Sequence, residues 1–173
     1  MRLYRARVPV IAKEVIDTLN NSGDIEVLSE NKEEAEQDLI AIMEEYLRRD
    51  NEFRDRVRDY MDHRSLPYSD FGRVRKSQAD RQKHPIHDDV ERYLARQFVE
   101  AMMVSRFVDE IYEEDAALYR KTIAILKTHD VDEREIREAA MARIKNVREG
   151  SIEFEIALEN AVREEKRVRG LIR

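Results

Sequence analysis

A chain of 173 residues with 42% hydrophobic residues is long enough for one ordinary domain, or two very small ones, with a real core. The 32 Lys and Arg nearly balance the 38 Asp and Glu, and the net charge of −6 argues against a protein that coats nucleic acid. Cysteine is absent, which excludes disulfides and thiolate metal sites and fits a reducing compartment.

The first residues are basic, as in a secretory signal, but Lys13 and Glu14 interrupt the apolar run after about five residues. No later stretch approaches the length of a membrane span. We therefore expect a cytoplasmic protein that makes no contact with a membrane.

Apolar residues at spacings of three and four predict three helices within residues 1–64. Pro9 should lie in the first turn of the first helix, which the sequence NNSG ends. Asn31 should cap the second helix with Glu34 reaching back, and Asp50 should start the third. The three buried faces are predicted to contain Ile11, Val15, Ile16 and Leu19; Ala35, Leu39, Ile42, Met43 and Tyr46; and Phe53, Val57, Tyr60 and Met61.

The stretch SLPYSDFGRVRKSQADRQKHPIH, Ser65–His87, holds two of the three prolines and one of the four glycines. We interpret residues 65–85 as a long ordered loop that joins two helical units, 1–64 and 86–173. Pro67 and Gly72 would fix turns that hold Tyr68 and Phe71.

The second unit is predicted to contain three helices and a terminal helix. The fourth helix is apolar on most sides and should be central. Asp132 with Glu135 should cap the sixth helix, and Ser151, after a break at Gly150, should cap the seventh, which docks on this unit. Ile152, Phe154 and Ile156 alternate as in a strand, but a helical stripe outweighs that pattern. The buried faces should contain Val90, Leu94, Phe98, Ala101 and Met102; Leu118, Ile125 and Leu126; Ile136, Ala140, Ile144 and Val147; and Phe154, Ala157, Leu158, Ala161 and Val162.

The two halves resemble each other at an offset of 83 residues, which sets the triplet IAI at 40–42 against IAI at 123–125. Apolar positions then coincide without a gap, although a shared helical period explains part of this agreement. The expected fold is therefore all-α: about seven helices in two similar three-helix units plus a C-terminal helix, joined by the long loop.

Three segments together resemble the bacterial Domain of Unknown Function 507 family. They are the start MRLYRARVPVIAKEVIDTL, the stretch LPYSDFGRVRK, and the ending REGSIEFEIALENAVREEKRVRG, with Glu149, Gly150 and Ser151 before Phe154, where Trp is commoner. The resemblance covers essentially the whole chain and is to the longer, two-unit form. It implies an all-helical cytoplasmic bacterial protein and supplies no substrate, cofactor or catalytic residue.

Residues that could carry chemistry have simpler interpretations. His84 and His87, beside Asp88 and Asp89, could suit a divalent cation, but turn-forming residues before a helix explain the cluster without a metal. None of the four histidines has a Glu three residues before it, so a di-iron bundle is unsupported. No phosphate loop or nucleophile elbow occurs. We predict no catalytic, cofactor or metal residue.

Basic residues with interleaved aromatics are the strongest remaining signal. Such a cluster engages an acidic protein patch or an RNA strand, although salt-bridged surface is an alternative explanation. The candidate interaction residues are Tyr68, Phe71, Arg73, Arg75 and Lys76 in the loop, and Lys166, Arg167 and Arg169 in the last helix.

The leading hypothesis is a non-enzymatic scaffold or adaptor that binds another macromolecule, a protein in the first instance. RNA binding through the same residues is the alternative. An enzyme without a local signature comes third, and a deep pocket lined by converging titratable side chains would favour it. The oligomeric state and the partner's identity are not predicted.

Overall fold

The computed structural model describes residues 1–145 and 151–172. Within them the chain forms seven α-helices, and the all-α prediction is confirmed. Two two-residue strands, β1 (Ile25–Glu26) and β2 (Glu110–Ile111), pair antiparallel with Ile25 opposite Ile111. None of the described helices combines the length and the apolar character that crossing a membrane requires. The helices are α1 (Val8–Asn21), α2 (Lys32–His63), α3 (Phe71–Gln82), α4 (Asp88–Val104), α5 (Asp115–Thr128), α6 (Glu133–Arg143) and α7 (Ile152–Val168).

The first helix begins where the sequence predicted, with Pro9 in its first turn. The second differs from the prediction, because α2 is one continuous helix of 32 residues where two were expected. No Gly or Pro interrupts it, and Arg48 pairs with both Glu45 and Glu52 across the predicted break. Asp50 starts no helix.

The predicted capping box at the start of α2 is also wrong. Asn31 precedes the helix, but its side chain makes no capping hydrogen bond and its backbone is already in the helical region. The Asn31 amide instead lies 3.5 Å from the Asp109 carboxylate.

One large core is shared by α1, the first half of α2, α4 and α5. Helix α4 has seven buried residues, which agrees with its predicted central position. The arrangement as two three-helix units is not confirmed, because buried side chains from both halves of the chain enter this core. The internal repeat stays a prediction; its offset sets Lys32, the first residue of α2, against Asp115, the first of α5.

The expected loop over residues 65–85 contains a helix. A short 3₁₀ turn, Tyr68–Asp70, leads directly into α3, which packs on the second half of α2. Val74, Ala79 and Ile86 complete a second core with residues of α2. Helix α3 was not predicted, because Pro67 and Gly72 suggested turns, whereas Gly72 lies inside the helix and Pro67 precedes it. The second core consists of Phe53, Val57, Met61, Val74, Ala79 and Ile86.

Helices α6 and α7 pack on each other, as the predicted docking of the last helix requires. Phe154 and Leu158 are buried and pack against Ala140. Both predicted caps are confirmed: the Asp132 carboxylate accepts from the backbone N–H groups of Arg134 and Glu135, and the Ser151 hydroxyl accepts from that of Phe154. Ile144 lies just beyond the end of α6, while Val147, Glu149 and Gly150 lie outside the described residues.

Candidate interaction surface

The start of α3 holds two of the predicted interaction residues in direct contact. The rings of Tyr68 and Phe71 stack with centroids 5.6 Å apart and planes 22° apart. Phe71 is half-buried against the second core, whereas Tyr68 is 73% exposed. The Arg58 guanidinium lies 5.9 Å from the centroid of the Phe71 ring. A solvent-exposed aromatic face therefore lies at the junction of α2 and α3.

Arg73 and Lys76 extend this face along α3. Both are exposed and three residues apart, so they share one side of the helix. Arg73 pairs with Asp70 at 2.8 Å, an exposed contact worth little. We name Arg58, Tyr68, Phe71, Arg73 and Lys76 the aromatic surface.

Arg75 was predicted to belong to the interaction residues, but its guanidinium is engaged inside the protein. It pairs with Asp50 of α2 at 2.8 Å, and the same carboxylate oxygen lies 3.1 Å from Nε2 of His84. The His84 ring stacks on the Phe53 ring with centroids 4.4 Å apart, and the nearly parallel Tyr46 ring has its centroid 6.1 Å from that of His84. This network fastens α3 and the turn after it to the middle of α2.

The charge of Asp50 is stabilised by its partners. Burial alone would raise the pKa of the Asp50 carboxyl, but the hydrogen bond with His84 and the guanidinium of Arg75 outweigh burial and hold that pKa below its usual range. The pKa of the nearby Tyr46 hydroxyl is raised, chiefly by burial and also by the charge of Asp50.

The basic residues of α7 are also largely paired. Lys166 lies 2.8 Å from Glu133 and is mostly buried, and Arg169 bridges Glu135 at 3.1 Å and the buried Glu165 at 2.9 Å. Lys166 and Arg169 therefore both take part in intramolecular ion pairs, and their predicted role in binding stays a prediction. Arg167 is exposed, with a loose contact to Glu164 at 3.7 Å.

The eight predicted residues thus fall into two groups held by different parts of the fold, since α3 packs on α2 and α7 packs on α6. Six of these eight residues are cations. Among the six, only Lys76 makes no ion pair with another residue in 1–145 or 151–172. Among the described residues, no three or more His, Asp or Glu side chains lie together in a group that could hold a metal ion.

A long groove that sequence analysis missed lies on another side of α2. It has a volume of about 1340 Å³ and is open to solvent, with walls from the N-terminal segment, α2, the start of α4, the turn before α6 and the C-terminal residues. Seven residues of α2 line it, and five of them recur at spacings of three and four, which is a stripe the sequence contained. The walls could not be foreseen, because they come from distant segments. The stripe is Ile40, Glu44, Leu47, Asn51 and Arg54.

A family model described as "Protein of unknown function (DUF507)" matches residues 1–171 of the chain. The chain belongs to the DUF507 family. Comparison with curated proteins found no match. The resemblance inferred from three sequence segments is therefore confirmed. The family description assigns no chemical role to any residue of this chain.

The groove of this DUF507 protein carries titratable side chains, which is the feature that would favour an enzyme. General acid–base catalysis near neutral pH needs a group whose pKa lies near the working pH. The pKa of Asp50 is held low by its partners and the pKa of Tyr46 is raised, so both move away from neutrality.

Proposed function

We propose that this protein is a cytoplasmic, non-enzymatic helical scaffold that binds an acidic protein partner through the aromatic surface. The observation that carries the proposal is the exposed Tyr68 ring, held in place by its stack on Phe71. A tyrosine side chain has only two torsions, so it loses little entropy when a partner covers it. Lys76 supplies complementary charge for acidic side chains, and Arg58 and Arg73 add to it where a partner replaces their exposed pairs with Asp55 and Asp70.

A protein partner is favoured over RNA by the number of available cations. Affinity for RNA rests on several phosphate contacts, each of which adds to its salt dependence. Arg73 is already paired with Asp70, and Arg75 is committed to the interior, so the surface offers few cations to a phosphate chain. One exposed ring with a few charges suits a compact acidic patch better.

The test compares the intact chain with Tyr68→Ala in affinity recovery of partners from native extract. Tyr68 is the better residue to change, because Phe71 also packs on the second core and its loss would weaken the fold. Tyr112→Ala is the matched control, since Tyr112 is 65% exposed and lies outside the aromatic surface. We expect a discrete acidic protein to be lost with Tyr68→Ala alone. Equal recovery by all three proteins would contradict the proposal.

RNA binding is the second candidate, supported by the open face of the Tyr68 ring, on which a base could stack. A fluorescent pool of single-stranded RNA, titrated with the purified protein at low salt, decides between the two. Tight binding that weakens steeply with salt and depends on Tyr68 would replace the protein partner with RNA; we expect no such binding.

A further inference from the structure

We propose that helices α6 and α7 form a hinged arm that swings away from the rest of the protein, with Tyr4 as the contact that holds it closed. We name α6, α7 and residues 169–172 the arm. Glu133, Leu171 and Ile172 of the arm line one wall of the groove along α2, so an open arm removes that wall and widens the groove. The inference does not depend on the aromatic surface or on its partner.

The arm has hydrophobic clusters of its own, apart from the large core. One cluster surrounds Phe154 and Leu158, and the other surrounds Ile136. Among the described residues, Tyr4 is the only member of either cluster that comes before Val131, so no residue of helices α1 to α5 belongs to them. Parts of a structure that share few buried apolar contacts with the rest can open by themselves.

The ion pairs between the arm and the rest of the protein converge on one carboxylate. Glu133, at the start of α6, accepts from the Tyr4 hydroxyl and lies 3.1 Å from the Arg2 guanidinium. Lys166 of α7 pairs with the same carboxylate at 2.8 Å, and its ammonium lies 5.6 Å from the centroid of the Tyr4 ring. Every other ion pair of the arm within residues 1–145 and 151–172 joins two arm residues.

The segment before α1 fixes Tyr4 to the rest of the protein. Tyr4 has an extended backbone, in which successive side chains point to opposite sides. Met1 and Leu3 are buried in the large core, whereas the side chains of Arg2 and Tyr4 contact the arm. Tyr4 is 7% exposed, because it packs with Ile136. The closed position of the arm therefore depends chiefly on one buried ring.

The connection between α5 and α6 is short, and its first two residues are held by the rest of the protein. His129 is buried, with Nε2 3.0 Å from a carboxylate oxygen of Glu14 on α1. The Asp130 carboxylate accepts from the backbone N–H of Arg2 at 3.3 Å. Asp132 caps α6 and moves with it. Since hinges are a few loop residues that absorb a change of backbone torsions, the rotation should occur around Val131.

Double electron–electron resonance tests the swing by measuring the distance between two spin labels, attached at Arg96→Cys on α4 and Asn160→Cys on α7. Both positions are exposed, and the chain has no cysteine of its own. The parent should show one dominant distance. Tyr4→Ala should raise a second distance population at least about tenfold, because loss of a buried aromatic side chain removes much of what favours the closed state.

The matched control is Tyr46→Ala, which also removes a buried tyrosine ring, 6% exposed, but from the large core. It should lower the thermal midpoint and leave one dominant distance. Should Tyr4→Ala fail to fold, Tyr4→Phe keeps the ring and removes only its hydroxyl contact with Glu133, and we expect it to raise the second population severalfold.

Two results would overturn the proposal. The first is one unchanged distance in both Tyr4 variants. The second is a second distance population in Tyr46→Ala as large as in Tyr4→Ala, which would show a general loss of stability instead of release of the arm.

Discussion

The packing of α7 predicts a large difference between two neighbouring substitutions, Phe154→Ala and Ile156→Ala. Phe154 is 8% exposed and packs with Ala140 and Leu158, whereas Ile156, on the same helix, is 56% exposed. In a strand the two would share a face; on the helix they face the core and the solvent. The pair therefore tests how the last helix docks.

The cost of Phe154→Ala follows from its burial. Burying a phenylalanine contributes roughly 2–3 kcal/mol by area, and the cavity left by truncation raises the typical loss to about 3–5 kcal/mol. The surrounding cluster is small, so we expect the lower end, about 3 kcal/mol. In a chain of this length each kcal/mol lowers the thermal midpoint by about 2–4 °C, which gives a fall of about 6–12 °C.

Thermal unfolding followed by circular dichroism gives the midpoints of both variants and of the parent chain. Hydrogen exchange of the α6 and α7 amides shows whether the loss is local to that pair of helices. Ile156→Ala should change the midpoint by no more than about 2 °C, since exposed substitutions alter stability by about 0.5 kcal/mol at most. If both variants melted together with the parent, α7 would not be docked through Phe154.

Three further predictions concern the ion pairs. Arg169→Ala should lower the thermal midpoint more than Arg167→Ala does, because it takes a partner from the buried Glu165; equal melting of the two variants would contradict that role. Asp50→Asn should cost about 2 kcal/mol, since it weakens charged hydrogen bonds to Arg75 and His84, and should speed hydrogen exchange in α3; unchanged exchange there would contradict the fastening role of the network. Because the pKa of Asp50 is lower in the folded than in the unfolded protein, its contribution to stability is present above about pH 4 and is lost as the pH falls further. Urea unfolding should therefore show that the difference in unfolding free energy between the parent and Asp50→Asn shrinks from pH 7 to pH 3. A constant difference would refute the lowered pKa of Asp50.

Local signals predicted much of the fold. The spacing of Ile11, Val15 and Leu19 located α1, and the caps at Asp132 and Ser151 located the starts of α6 and α7, because caps and stripes depend on residues within a turn or two. The prediction of a helix boundary at Asp50, within α2, was wrong for the same reason, because it rested on a local signal. Asp50 has the side chain of a cap, but its true partners are remote in sequence.

The candidate site was predictable only in part. The sequence predicted that turns in a loop hold Tyr68 and Phe71, whereas the structure stacks the two rings at the start of the unpredicted helix α3. The sequence does not show which cations are paired, since Lys166 pairs with Glu133 and Arg169 pairs with Glu135, and both acids lie on α6. The groove could not be predicted from the sequence, because its walls bring together both ends of the chain and the middle of α2.

The most direct test of the proposed function is photo-crosslinking in living cells, with benzoylphenylalanine in place of Tyr68 or of Tyr112. Both side chains are exposed, so both positions tolerate the larger ring and meet solvent alike. We predict one discrete protein adduct at position 68, resistant to ribonuclease, and none of that size at position 112. The same adducts at both positions, or an adduct at position 68 that ribonuclease removes, would contradict a protein-binding role for the aromatic surface.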